Sequence, residues 1–360
     1  MDIGTLIETM RNDGTIKAIV QNPRAQFGLG PRRYIGAEIL PERNVPENRF
    51  REENIRYKTI VANDGSRYSP VQKKGGELAG SFEVILGDSD IGREFSGRDY
   101  DVFLRLIGNG SMDAALQVMN WVDVTLTRAM VELCEKQRWE LIQTAQVVRA
   151  GANKFTETVT ISNPAGHRVN AGGTWSNNSY DPYADIVSMV NLLKSKGYNV
   201  SRIITRQTVV SILTLNEKMR QRMGIVTMAP GVMAGVNPGF LNLQALNNIF
   251  QRDGLPPIET YDLQYRTTSG SAYFLNGNSM VFICQTGRDQ NVDFGDSVKI
   301  VTDTLGYTAI GIPTGENTPG RVAKLFPFEN RPPRIEGQAW QTTLPVITEP
   351  EAVACINAIA

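Results

Sequence analysis

Ser111–Ala150 reads SMDAALQVMNWVDVTLTRAMVELCEKQRWELIQTAQVVRA, forty residues with neither glycine nor proline in a 360-residue chain that carries 33 glycines and 18 prolines. Gly108 and Gly110 sit just before it, Ser111 has a capping side chain and Gly151 follows, so start and stop signals bracket the segment that lacks breakers. One helix over 111–150 is predicted. At 1.5 Å per residue it would span roughly 60 Å, more than a modest domain is wide. A helix that long needs equally long partners or a flat body to lie in, and the sequence holds no second run of that kind. The segment is therefore expected to be the spine of an extended subunit, packing through Leu116, Met119, Leu126, Met130, Leu133 and Leu141.

Upstream of the spine there is little to build a core from. Residues 1–50 hold a short apolar patch at Ile16, Ile19 and Val20, then Pro23, Gly28, Gly30, Pro31, Pro41 and Pro46 among many charges. This pattern predicts an arm. Ile55–Val61 and Phe82–Leu86 alternate apolar with polar residues, and between them lie Asn63, Asp64, Gly65, Pro70, Lys73, Lys74, Gly75, Gly76 and Gly80. We read a long β-hairpin with a basic tip. A lone two-stranded ribbon is marginal in water, so arm and hairpin are expected to dock on other material, with neighbouring copies of the chain as the obvious supply.

Downstream, Phe155–Ile161 is a strand candidate ending in the turn Asn163-Pro164-Ala165-Gly166. Asp181 as N-cap, Pro182 at the first helical position and Gly197 past the end bracket a helix with Ile186, Met189, Val190 and Leu193 on one face. A strand at Val200–Ile204, helices near 206–222 and 240–252, and strands near 272–284 and 298–312 complete a compact α/β pattern. Five prolines between Pro313 and Pro333 predict a long exposed loop. The chain closes with a strand near Trp340–Val346 and a short helix opened by Glu349 and Pro350.

Composition narrows the function classes. Thirty-seven basic and 37 acidic side chains cancel, so no whole-chain field argues for nucleic-acid or membrane binding. No charged leader precedes an apolar stretch and no 18 apolar residues run together, which predicts neither signal peptide nor membrane span and a cytosol-like compartment. Cys134, Cys284 and Cys355 lie far apart in apolar settings and are expected to be buried reduced thiols. The single histidine, His167, rules out paired imidazoles and is read as a turn or surface residue. Gly28-Leu29-Gly30-Pro31-Arg32-Arg33 lacks the third glycine, strand and helix of a phosphate loop, and neither a Walker run nor a G-x-S-x-G elbow occurs. Glu52 with Glu53, like Lys73 with Lys74, reads as ordinary solvated charge.

Three local marks stand in order along the chain. Gly172-Gly173-Thr174-Trp175 leads into Tyr180-Asp181-Pro182 and Asp185-Ile186; Pro313-Thr314-Gly315-Glu316 follows; Gln341-Thr342-Thr343-Leu344-Pro345-Val346 runs on to Glu349-Pro350-Glu351. Together with the sequence of arm, hairpin, spine, α/β domain and proline-rich loop, they resemble the major capsid protein of tailed bacteriophages, the Hong Kong 97 capsid fold, in its lambda-type branch. The resemblance covers nearly the whole chain, and its weight lies in the order and spacing of short motifs.

What the resemblance implies is an α+β fold. The N-terminal arm would be 1–50 and the extended β-hairpin loop 51–98. A peripheral domain of 99–180 and 285–335 would contain the spine helix 111–150, and an α/β axial domain would comprise 181–284 and 336–360. It implies a structural role without catalysis, metal or cofactor: hexamers and pentamers of the chain forming an icosahedral shell around double-stranded DNA that is held without sequence-specific binding. Assembly would occur in a host cytoplasm, away from membranes, with a separate scaffold protein, a portal and possible decoration proteins as further partners. The candidate contacts between subunits are Lys73, Lys74, Gly75 and Gly76 at the hairpin tip, and Pro313, Asn317, Pro319, Arg321 and Asn330 in the loop placed near threefold contacts. Some relatives crosslink a lysine to an asparagine; lambda-type shells generally do not, and no such bond is expected here. During procapsid maturation, residues 87–110 would supply the hinge, through Gly87, Gly92, Gly97, Gly108 and Gly110. The alternatives are an encapsulin-like protein compartment and a cytosolic α/β enzyme, the latter resting on 181–284 and lacking a catalytic constellation.

Overall fold

The computed structural model describes residues 3–21, 32–55, 78–109, 111–150, 156–222, 242–267, 269–275, 277–286, 290–293, 298–301, 304–328 and 333–359. The spine is present but shorter than predicted. It consists of an α-helix Ser111–Val122, a π-turn Asp123–Thr127 and an α-helix Arg128–Thr144. Ala145 then turns left-handed at φ 59°, and Gln146–Ala150 departs as a strand paired with Thr156–Thr160. Val147 and Arg149 are buried while their neighbours face out, so pairing across the chain overrides the lack of helix breakers. A further helix, Arg98–Asn109, precedes the spine and takes in Gly108.

The buried stripe also differs from the predicted one. Val118, Val122, Leu126, Met130 and Cys134 point inward, whereas Leu116 is 44% exposed. In an α-helix, residues four apart drift by about 40° per step around the axis. The wider π-turn takes up part of that drift and keeps a strict every-fourth pattern on one face.

Two cores lie along this spine. Its first half packs against the helices Ile3–Asn12 and Thr15–Gln21, whose Leu6, Ile7, Met10, Ile16 and Val20 bury against Val118, Val122, Leu126 and Met130. The start of the arm thus docks on its own chain, a correction to the expectation that it has nothing local to lie on. Its second half, through Trp139, Leu141 and Ile142, joins the larger core.

The sheet on the first side is organised by one long strand, Arg334–Ile347. Gly87–Ser96 pairs antiparallel along one edge, from Gly87↔Thr343 to Ser96↔Arg334. Thr343 is paired at the same time with Ile310, and Gln341 with both Ser89 and Arg321, so Gly306–Ile310 and Arg321–Phe328 follow one another along the opposite edge. Residues 311–320 are therefore an excursion from a single interrupted edge. The expected loop from Pro313 to Pro333 contracts to this excursion, because Pro327 sits in an edge strand that needs no outward N–H. Glu42–Asn44 completes the sheet, parallel to Thr308–Ile310.

The hairpin is formed by Arg49–Ile55 and Leu78–Ile85, register Arg49↔Ile85 to Ile55↔Leu78. Its first strand begins at Arg49, and of the predicted Ile55–Val61 only Ile55 is described; 56–61 and the tip residues Lys73, Lys74, Gly75 and Gly76 fall outside the described residues. Gly87 and Gly92, from the expected hinge, are paired strand residues. A Cβ on Gly87 would meet the Arg149 guanidinium at 1.9 Å, so that glycine serves close packing.

The α/β lobe holds a five-stranded mixed sheet in the order Arg168–Thr174, Val353–Ile359, Ser279–Cys284, Val200–Thr205, Ile258–Thr260. Helices Pro182–Ser195, Gln207–Leu215, Glu217–Arg222 and Leu243–Arg252 pack with it. The predicted C-terminal helix is instead a 3₁₀ turn, Pro350–Ala352, and a strand buried between two others. A short apolar run reads alike as helix or strand until its neighbours are known. His167 is also corrected from surface to core: it is fully buried, with Nδ1 3.0 Å from the Val353 carbonyl oxygen.

The two cores meet at a buried charge cluster. Glu42 Oε1 accepts from Arg138 at 3.0 Å and from Arg321 at 2.5 Å. Arg138 Nε donates to Thr308 Oγ1 at 2.8 Å and Arg321 Nε to Gln341 Oε1 at 2.9 Å. Fully buried Glu135 accepts on Oε1 from the Gly36 N–H, Trp139 Nε1 and the Tyr261 hydroxyl, each at 2.8 Å. Burial alone would raise the Glu42 carboxyl, but the Arg321 and Arg138 guanidiniums outweigh it and hold it at about 2.

Candidate assembly interface

The excursion 311–320 is a presented, braced loop. Its neck closes through Gly320 N–H donating to the Gly311 carbonyl at 3.1 Å. Asn48 clamps the first arm in both directions, donating to the Ile312 carbonyl and accepting from its N–H, each at 2.8 Å. Trp340 Nε1 donates to the Thr314 carbonyl at 3.0 Å, and Thr314 Oγ1 donates to Asp88 at 3.0 Å. Lys324 sits over the Trp340 ring at 5.2 Å and pairs with Glu316 at 3.1 Å. Gly315 at φ +83° makes the reversal that a side chain would strain. What remains outward is the tip: Asn317 and Thr318 are exposed and Pro319 half-buried.

Two of the predicted contact residues do not belong to this tip. Pro313 is buried, and Arg321 is 5% exposed with its charge committed to Glu42. Within the subunit the Arg321 guanidinium is desolvated and already paired. Asn330 lies outside the described residues, as do Lys73, Lys74, Gly75 and Gly76.

A second surface lies on the outward face of the spine, the face a neighbour's hairpin was expected to use. The helix Arg98–Asn109, the spine and the strand Gly87–Ser96 enclose a groove of about 250 Å³ lined by Phe95, Val102, Trp121 and Val124, with Asp99, Gln117, Asn120 and Thr125. Val102 is 47% exposed and Val124 38%, and Leu116 also faces outward on the spine. Phe95 meets Trp121 edge-on at 5.6 Å, which fixes the groove floor. The available signal was the apolar residues of the spine that do not fit its inward stripe.

The mark Gly172 to Ile186 is a structural joint. Asp185 accepts from the Gly172 N–H at 3.2 Å, Trp175 Nε1 at 2.8 Å and the Tyr180 hydroxyl at 2.6 Å. Burial first, and the Asp185 carboxylate second, push the Tyr180 hydroxyl up to about 12. Asp181 caps the following helix by accepting from the Tyr183 N–H at 3.2 Å. The Asp185 and Asp181 carboxylates are thus both engaged within the joint. Among the described residues no group of His, Cys, Asp or Glu could hold a metal ion, and all three cysteines are buried thiols. Burial pushes the Cys284 thiol up to about 12 and that of Cys355 to about 11, far from nucleophilic range.

No family model matches the sequence, and no curated protein matches it. Solved structures do. A prophage protein from E. coli CFT073, assigned as a capsid protein, superposes with a TM-score of 0.57 over 96% of this chain and 98% of that one, at 14% identity. The chain has the Hong Kong 97-type capsid fold. A phage-related protein from Bordetella bronchiseptica RB50 shares this capsid fold at TM-score 0.50 and 12% identity, over 96% of this chain and 97% of that one. An encapsulin from Synechococcus elongatus PCC 7942 stands further off, at TM-score 0.41 and 10% identity over 93% and 90%. The long helix, the hairpin and a loop opening at Pro313 were legible in the sequence; the lining of the spine groove and the buried charge cluster were not.

Proposed function

We propose that this chain is a major capsid protein, assembling with copies of itself into an icosahedral shell that encloses phage double-stranded DNA in the virion. The observation that carries the reading is the match of the fold end to end with a prophage capsid protein, with almost nothing left over on either chain. Many modest contacts per subunit would sum to a stable shell while each stays weak enough to correct.

Within that reading, the exposed tip Asn317–Pro319 contacts neighbouring subunits, the spine groove carries a neighbour's hairpin, and the tip Lys73, Lys74, Gly75 and Gly76 extends that contact. Asn330, in the connection between the strands Arg321–Phe328 and Arg334–Ile347, is a further contact candidate. Hexamers and pentamers are the expected capsomers. A scaffold, a portal and decoration proteins are the expected partners, and the near-neutral chain lets DNA move along the wall instead of adhering to it.

Electron microscopy and sedimentation of the purified chain, alone and after expression with its phage neighbours, test this. Shells or capsomers that protect DNA from nuclease are expected. A stable small oligomer under every condition would overturn the reading, and closed particles filled with protein instead of DNA would replace the virion by a compartment.

A further inference from the structure

Residues 32–44 cross between the two lobes and are bolted to the spine on the way. Ile35, Ile39 and Leu40, in and just after the helix Ile35–Ile39, belong to the α/β core, while Glu42–Asn44 is a strand of the other sheet. The first bolt joins the Gly36 N–H to Glu135; the second joins Glu42 to Arg138, three residues further along the spine. Each bolt also reaches into a different lobe. Glu135 holds Tyr261 of the α/β lobe, whereas Glu42 and Arg138 hold Arg321 and Thr308 of the sheet lobe. Outside, Arg33 and Arg202 share Glu38 and Glu259, tying the start of the segment to the α/β lobe at 2.6–3.4 Å.

We infer that residues 32–44 form a latch: a strap that, while bolted to Glu135 and Arg138, holds the two lobes at one relative position, and that on release opens as a unit. The strand part is three residues long and pairs along one edge only, with Thr308–Ile310, flanked by bonds from the Leu305, Thr308 and Val45 N–H groups to the Ile39, Pro41 and Ile310 carbonyls. Ile35, Ile39 and Leu40 add apolar burial, and the polar hold is concentrated in the charge cluster, where a buried ionic group stripped of one partner is worse than none. Gly36 is the fitted piece. A Cβ there would stand 2.8 Å from both Glu135 carboxylate oxygens, and that carboxylate cannot retreat without losing Trp139 and Tyr261. The inference concerns the subunit itself and does not depend on the shell reading.

Hydrogen exchange on the full chain tests it, comparing Glu42→Gln and Gly36→Ala with the unaltered protein. Exchange at residues 35–45 and 306–310 should rise by about tenfold or more, while strands Ser279–Cys284 and Val353–Ile359 keep their protection. An additional Asn44→Cys, Ile310→Cys pair, at partnered positions about 4.8 Å apart, should restore protection when oxidised and not when reduced. Because the two states differ only in one bond, this arm separates latch opening from loss of fold. An equal rise over both lobes, unchanged exchange at 35–45, or no effect of oxidation would overturn the latch.

Discussion

At the scale of single residues, the joint at Gly172–Asp185 gives a clean test of why glycine stands where it does. A Cβ on Gly173 would lie 2.6 Å from the Tyr180 ring, whereas one on Gly92 meets nothing within 4 Å. Gly173→Ala should therefore cost roughly 1–3 kcal/mol in urea unfolding, and Gly92→Ala about 0.5 kcal/mol or less. Equal losses would show that crowding against Tyr180 is not the cause. Glu42 makes a prediction about pH. Its carboxyl falls from an ordinary 4.5 to about 2 in the fold, so its contribution is complete above about pH 4.5 and disappears as the pH drops towards 2. In Glu42→Gln, which cannot ionise, stability should be lower at neutral pH and should vary less between pH 4.5 and 2. A parallel curve for both proteins would refute the assignment.

At the scale of elements, the spine has two faces with different duties. Leu126, fully buried at the π-turn, packs with the N-terminal helices and the long strand, and Leu126→Ala should cost about 2–5 kcal/mol. Leu116 faces out, so Leu116→Asp should leave the stability of the free subunit within about 0.5 kcal/mol while lowering the yield of particles. Chemical denaturation and particle counts by microscopy read the two separately. If Leu116→Asp assembled normally, the outward face of the spine would have no part in shell contacts. This division was half legible in advance: the absence of breakers revealed a long helix, but not which side of it faced a core. The π-turn shifts the angular register partway along, so a stripe extrapolated from either end misses the other.

For the whole molecule, the N-terminal helical pair is the external brace of one core. Leu6, Ile7, Met10, Ile16 and Val20 cover apolar positions of the spine and of strands Arg321–Phe328 and Arg334–Ile347. Removing residues 1–21 should uncover that surface and give a chain that aggregates or binds a hydrophobic dye, as exposed contiguous apolar patches do. A trimmed protein that stays dispersed and unfolds at the same temperature would mean the pair contributes nothing within its own subunit. In this chain such a brace, the two cores and residues 32–44 all contact a single spine.

By itself the sequence determined the long helix and much of the order of elements, because breakers, caps and residue types act locally and are visible one position at a time. It also held the motifs whose spacing pointed to the capsid fold. Tertiary structure alone decided where the helix stops, since Gln146–Ala150 gains more by pairing with Thr156–Thr160 than by continuing the spiral. The same holds for the C-terminal strand, for Pro327 in an edge strand, for buried His167 and for Arg321, whose guanidinium pairs with Glu42 inside the fold. These depend on partners far away in the chain, and a partner's identity is written in three dimensions only.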